Sequence, residues 1–307
     1  MTLTAMLSTA GCGEHGAAGT PVPDRVDETV RAASPLAGGR AAGQLTALEE
    51  SSDSRIGLFA VDTATGRFVA HRAEERFAFA STGKVLTAAA VLEATDDSEL
   101  DAPTPVEPDD VVPHSPVTES RAGAAISLRE AAEAAVTVSD NTAQNIMLEH
   151  LGGPAGLEAV LRGAGDATTD PARYEPELNE VFSGDTRDTT TPRAMTASLR
   201  AYLVDGRLSP SDRDELVSWM EASTTGQDLV RAAVPAGWVV ADKSGTPATS
   251  GGRNDVALVW PPGQPRNAPW VITVFTDRPG AGADAASVSG LVASATAAAV
   301  AELADEV

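Results

Sequence analysis

Ser81 and Lys84 stand three residues apart at the start of an apolar run, Ala80-Ser81-Thr82-Gly83-Lys84-Val85-Leu86. At that spacing a helix puts both side chains on one face. A hydroxyl beside an amine can act as an activated nucleophile, because a neutral amine takes the hydroxyl proton. The plain alternative is a helix-capping serine followed one turn later by an exposed lysine. Lysine usage bears on the choice. Among 22 Lys plus Arg, only Lys84 and Lys243 are lysine. Arginine does not release its proton inside a protein, whereas a desolvated lysine can. Two lysines kept in an arginine-rich composition point to positions that arginine could not fill.

The elements that must hold this pair follow from hydrophobic patterning. An Ala/Leu pattern over residues 40–50 predicts a first helix, and residues 56–61 a strand that turns through 62–66 and pairs back over 67–71. The Ser81 helix is small or apolar on nearly every face, which predicts burial inside a helical layer. Residues 101–116 are rich in Pro and Asp and read as loop. Helices are predicted over 128–136, 141–151, 155–163, 191–203 and 209–222, with Gly152-Gly153-Pro154 ending one of them. Residues 166–190 have little periodicity, and a connection of that length inside a compact domain is usually functional. Residues 237–241, 255–260 and 269–276 read as three strands, and an Ala-rich helix over about 285–304 closes the chain.

Strands at both ends with helices between them predict an α+β fold. The discontinuous antiparallel-sheet domain takes 39–72 and 222–307, flanked by terminal helices. An all-α domain over 73–221 is inserted into it, and the active site lies between the two.

Composition excludes several functions. A net charge of −22 argues against nucleic acid and anionic membrane as partners, since phosphates need a basic surface. Cys12 is the only cysteine, so no intrachain disulfide can form. His15, His71, His114 and His150 are scattered without metal-ligand spacing, so neither metal nor cofactor is expected.

Three motifs occur in order: Ser81-x-x-Lys84, Ser139-Asp140-Asn141 and Lys243-Ser244-Gly245. Each is weak alone, and Ser139-Asp140-Asn141 could simply be a helix cap. Together they consume both lysines of the chain. With them the chain resembles a class A serine β-lactamase from about Gly39 to Val307. A fourth motif, Glu175-Pro176-Glu177-Leu178-Asn179, resembles the family's omega-loop, here 172–188. That loop separates the lactamases from penicillin-binding proteins, because an acyl-enzyme ester hydrolyses only when a water is held and deprotonated beside it.

The resemblance implies the roles. Ser81 attacks the lactam carbonyl, with Lys84 or Glu175 (through a water) as the base for that step. Glu175 is the deacylating base, and Asn179 helps hold its water. Ser139 passes a proton to the departing nitrogen. Asn141 binds the substrate's amide side chain. Lys243, Ser244 and Arg253 bind the substrate carboxylate, with Lys243 also polarising Ser139. The backbone N–H groups of Ser81 and Thr246, the latter just after Gly245, form the oxyanion hole. Arg173 and Asp188 are expected to pair across the omega-loop, with a cis bond at Glu175-Pro176. His114 matches a rim position that is often aromatic in the family, and an idle exposed histidine explains it equally well. Asp242 and Asp255 read as structural. The segment from Thr246 to Arg253 is slightly longer than in common members, and Pro247 follows the oxyanion residue, so the substrate spectrum stays open.

The implied function is hydrolysis of penicillins, cephalosporins or both, conferring resistance, with the small-molecule β-lactam as partner and a monomer as the working form. Two other readings are a transpeptidase or carboxypeptidase on cell-wall peptides, and a protein that is acylated and stays so. The Glu175 motif argues against the first, and the intact catalytic motifs against the second. Leu7-Ser8-Thr9-Ala10-Gly11-Cys12 resembles the end of a bacterial lipoprotein signal, with Cys12 as the lipid anchor. Residues 13–39, rich in Gly, Pro, Ala and acids, read as a flexible tether within the leading segment 1–38. Export is expected, with the protein either extracellular or tethered to the outer face of the bacterial membrane.

Overall fold

The computed structural model describes residues 39–180, 182–281 and 288–305. The expected signal, tether and Cys12 lie outside the described residues, as does the expected start of the last helix near Ala285.

In chain order the first elements are α1 (Arg40–Ser52), β1 (Arg55–Asp62), β2 (Phe68–His71), β3 (Phe77–Ala78), α2 (Gly83–Ala94) and α3 (Asp97–Leu100). Then come β4 (Pro103–Pro105), β5 (Ala125–Ser127), α4 (Leu128–Thr137), α5 (Asn141–His150), α6 (Pro154–Gly163) and β6 (Thr189–Thr190). The chain ends with α7 (Pro192–Leu203), α8 (Pro210–Glu221), α9 (Val230–Ala233), β7 (Val239–Gly245), β8 (Asn254–Trp260), β9 (Trp270–Asp277) and α10 (Ser289–Ala304).

Five strands form one antiparallel sheet in the order β2-β1-β9-β8-β7. The chain leaves the sheet after β2 and returns at β7, so the helices from α2 to α8 form one excursion. Side chains alternate between two cores, as the period of a strand requires. Ile56, Leu58 and Ala60 of β1 join Ile272 and Val274 of β9 on the outer face. There they meet Leu45 of α1 and Val292, Ala295 and Ala299 of α10. Phe59, Val61, Val271 and Phe275 point the other way, into the helical layer. With both faces covered, these strands read as nearly unbroken apolar runs.

At the centre of the helical layer lies α2, with every residue from Lys84 to Leu92 buried. It packs against α4, α5, α6, α7 and α8. Helix starts around it are fixed locally. Ser127 and Glu130 form a reciprocal capping box on α4, and Asp140 caps α5 by accepting from the N–H of Ala143. Thr191 and Ser209 cap α7 and α8, each followed by proline at the first helical position.

Several expectations are corrected. Ser81 lies in a single 3-10 turn, Ala80–Thr82, ahead of the helix proper at Gly83. The loop expected over 101–116 contains β4, which pairs with β5. The strand expected over 237–241 runs from Val239 to Gly245, because Asp242, Lys243 and Ser244 are buried and their polarity hides the strand from pattern reading.

Gly57 joins the sheet to the nucleophile segment. A Cβ there would lie 2.4 Å from the Phe77 ring. That ring in turn sits 6.2 Å from the ring of Phe275 on β9. The missing side chain lets the segment leading to Ser81 lie flat on β1. Gly57→Ala is therefore expected to destabilise the fold by about 1–3 kcal/mol through overpacking. Urea unfolding against the parent protein measures this, and an unchanged midpoint would rule the packing role out.

Candidate active site

Ser81 faces a cleft of about 390 Å³. Ser139, Asn141, Asn179, Ser244, Gly245, Thr246 and Arg253 line it too, together with His114 and Thr225. They come from separate parts of the fold, among them the turn before α2, the start of α5, the omega-loop, and the end of β7 with the segment after it. The edge strand β7 approaches the nucleophile turn so closely that a Cβ on Gly245 would lie 3.0 Å from the Thr82 nitrogen. Glycine at 245 lets the cleft close. Ala80 and Ser139 hold left-handed backbone, with φ of 46° and 61°. Such residues cost roughly 1–3 kcal/mol each and persist where the surroundings dictate the conformation.

Lys84, Glu175 and Lys243 are not on the cleft surface. They are 1%, 2% and 0% exposed. Lys84 Nζ donates to Asn141 Oδ1 at 2.6 Å, to the Ser139 carbonyl at 2.8 Å and to Ser139 Oγ at 3.3 Å. It lies 3.0 Å from Glu175 Oε1. Lys243 Nζ donates to Ser139 Oγ at 3.0 Å and to the Ser244 carbonyl at 2.8 Å. The Ser139 hydroxyl is thus held between two amines, an arrangement that can relay a proton.

Burial pushes the Lys84 amine below its ordinary range, and the Glu175 charge opposes the shift. Lys243 is pushed well down, first by burial and then by Lys84, against the pull of Asp255, Asp242 and Glu175. Desolvation disfavours an ammonium, so each lysine is readier to give up its proton than one in water. Asp242 and Asp255 remain outside the cleft. Arg231 pairs with Asp242, and the Val230 N–H bonds Asp255 at 3.0 Å.

The omega-loop presents Glu175. Its neck is closed by the Asp188 N–H to the Asp170 carbonyl at 2.6 Å, and by Asp170 bridging Thr189. Asp188 is fully buried and accepts from Arg173 Nε at 2.6 Å and from the Ala172 N–H at 2.9 Å. Burial pushes the Asp188 carboxyl up, and these donors oppose it. The expected Arg173–Asp188 pair is therefore a clasp whose carboxylate is buried and whose guanidinium is half-buried. Glu175-Pro176 is cis. Asn179 Nδ2 donates to Glu175 Oε2 and, at 3.1 Å, to the Pro176 carbonyl.

Asn141 binds Lys84 through its oxygen and the Pro113 carbonyl, at 2.9 Å, through its nitrogen. One amide hydrogen is left for the cleft. Asp140, between the two cleft residues, accepts from Val117, Thr118 and Ala143. The capping reading was right for Asp140 alone.

Two residues escaped sequence reading. Asn145 grips the Glu175 backbone on both sides, accepting from its N–H at 2.8 Å and donating to its carbonyl at 2.9 Å. Its place one helical turn after Asn141 was the available signal. Thr225 accepts from Ser244 Oγ at 2.8 Å, and its carbonyl accepts from Arg253 at 2.8 Å. Nothing in its local sequence marks it.

A family model described as "Beta-lactamase enzyme family" matches residues 40–303. The chain is 48% identical over 235 residues to a β-lactamase of Amycolatopsis lactamdurans, covering 76% of each chain. It is 44% identical over 294 residues to β-lactamase AST-1 of Nocardia asteroides, covering 95% of this chain and 90% of that one. The solved structure of a β-lactamase from Desulfarculus baarsii DSM 2075 superposes with a TM-score of 0.82 at 41% identity, covering 87% of this chain and 98% of that one.

Arg173→Ala would leave Asp188 buried without its cation. Breaking such a pair costs about 3–5 kcal/mol, so a clear fall in the urea midpoint is expected. A midpoint equal to that of the parent would show that the clasp does not hold the loop.

Proposed function

The chain belongs to the β-lactamase enzyme family, and from that membership we infer how its own residues carry the reaction. The protein is a class A serine β-lactamase that hydrolyses β-lactams and confers resistance to them. The observation that carries the assignment of roles is the Lys84 amine, held among Glu175, Ser139 and Asn141 one turn from Ser81.

Ser81 Oγ attacks the lactam carbonyl carbon. Its proton leaves through the Lys84–Glu175 pair, whose amine and carboxylate lie 3.0 Å apart. Charge on the carbonyl oxygen develops toward the backbone N–H groups of Ser81 and Thr246. The C–N bond breaks, and the ring nitrogen takes its proton from Ser139, whose hydroxyl is replenished from the flanking lysines. A water then attacks the ester carbon while Glu175 takes its proton, with Asn179 helping to hold that water. The Ser81 oxygen leaves and regains a proton, releasing the ring-opened acid. Ser244, Thr246 and Arg253 receive the substrate carboxylate, and the buried Lys243 supports it by its charge. Asn141 binds the amide side chain.

Penicillins and cephalosporins are the substrate classes of this reading. The enzyme acts as a monomer, exported and tethered at Cys12 outside the membrane. The motif ending at Cys12 and the Gly- and Pro-rich stretch after it support that location.

Turnover of benzylpenicillin is expected to vanish in Ser81→Ala, and residual turnover at the parent rate would remove Ser81 from its role. Glu175→Ala is expected to slow deacylation by about 10²–10⁴-fold. The acyl-enzyme then accumulates as a mass increase equal to the whole substrate, and prompt release would refute the base assignment. For location, the expressed chain is expected in the membrane fraction and Cys12→Ala in the soluble fraction. Identical partitioning of the two would refute the anchor.

A further inference from the structure

Behind the catalytic pair lies a second, much smaller cavity of about 20 Å³. It is enclosed by α2, α5 and α6 on one side and the base of the omega-loop on the other. It shares no lining residue with the substrate cleft. Lys84 and Glu175 form part of its wall, so it touches the rear of the pair whose front serves the cleft.

Five of the fifteen lining residues are leucine, and two polar atoms of the lining have neither a hydrogen bond nor an ion pair. Gln144 is 3% exposed, and its Oε1 is buried without a hydrogen bond. Arg173 Nη2 is likewise buried and unbonded. Their chemistry is complementary. The Thr87 hydroxyl donates to the Gly83 carbonyl at 3.3 Å, so its oxygen accepts from Gln144 Nε2 at 2.8 Å. That leaves Gln144 an acceptor at the cavity, while the guanidinium offers a donor. The space exceeds the 10–15 Å³ or so that one water needs, and falls far short of a larger ligand.

We propose that this cavity holds one ordered water, which donates to Gln144 Oε1 and accepts from Arg173 Nη2, making Gln144 a positioning residue for Glu175. The inference rests on the reading of Glu175 as deacylating base. Gln144–Thr87 repeats, one turn deeper, the contact that Asn141 makes with Lys84 across the same two helices. Next to Gln144, Asn145 grips the Glu175 backbone. On the loop side, Arg173 lies two residues before Glu175 and is fixed by Asp188. The water closes the remaining gap between the helix pair and the loop. It is distinct from the water that attacks the ester, which must reach Ser81 from the cleft.

Gln144→Leu keeps the volume but removes the acceptor. Acylation by benzylpenicillin passes its proton through Lys84, which keeps its own bonds to Ser139 and Asn141 in the variant, so its rate constant is expected to fall much less than that of deacylation. Deacylation needs Glu175 held to a fraction of an ångström, and is expected to slow about tenfold or more. The acyl-enzyme should then be visible by intact mass after rapid quench. Equal slowing of both steps, or no slowing of deacylation, overturns the proposal. Glu175→Gln is run alongside. If it deacylates at the parent rate, the base assignment fails, whatever Gln144→Leu does. A crystal structure of the parent at atomic resolution decides independently, including the case where Gln144→Leu does not fold. A density peak within hydrogen-bond distance of both Gln144 Oε1 and Arg173 Nη2 supports the water, and a dry cavity refutes it.

Discussion

The buried contact between Lys84 and Glu175 governs the rest of the site. An ammonium and a carboxylate, 3.0 Å apart and almost wholly removed from water, hold a position only if every other polar atom around them is matched. Lys84 satisfies its remaining valences on Ser139 and Asn141, which ties α2 to the start of α5. Glu175 is held through its backbone by Asn145 and through its side chain by Asn179. The pair thus clamps three segments far apart in sequence. Burial lowers the proton affinity of the amine, and the Glu175 charge opposes that shift.

Burial alone would set such a pair adrift, because charges in a dry interior gain little over apolar packing. What fixes it here is a frame rigid on every side. The sheet carries β7 against the nucleophile turn at the distance set by Gly245, and Phe77 lies in the space left by Gly57. The omega-loop is tied at its neck by backbone bonds and the Arg173–Asp188 clasp. Left-handed backbone at Ala80, just before Ser81, and at Ser139 turns the chain where the two cleft serines stand. These are local costs borne by a well-packed whole, and they fall next to the reacting groups.

The two lysines share a surrounding but differ in task. Each approaches Ser139 Oγ from its own side, and each has its charge disfavoured by burial. Lys84 is answered at contact distance by Glu175, whereas Lys243 is answered by carboxylates of Asp242 and Asp255 that touch other partners. Arg253 adds a fixed charge at the rim, where it bonds Thr246 and the Thr225 carbonyl. Arg253 is thus a cation on the rim of the cleft in a chain whose net charge is −22.

Most of the elements and the chemical types of the site were legible from residue order alone. Period-2 and helical patterning fixed the order of strands and helices, since burial of apolar faces is written residue by residue. The motif spacing and the scarcity of lysine singled out Ser81, Lys84, Ser139, Glu175 and Lys243. Which of them face the cleft and which lie beneath it emerged only on folding, because burial of a charge depends on partners contributed by other segments. Thr225 meets Ser244 and Arg253 with no local signal, and Gln144 and Arg173 line one cavity between the helices and the omega-loop. The polar strand at Lys243-Ser244-Gly245 was hidden for the same reason. Its pattern reads as surface until the packing that buries it is in place.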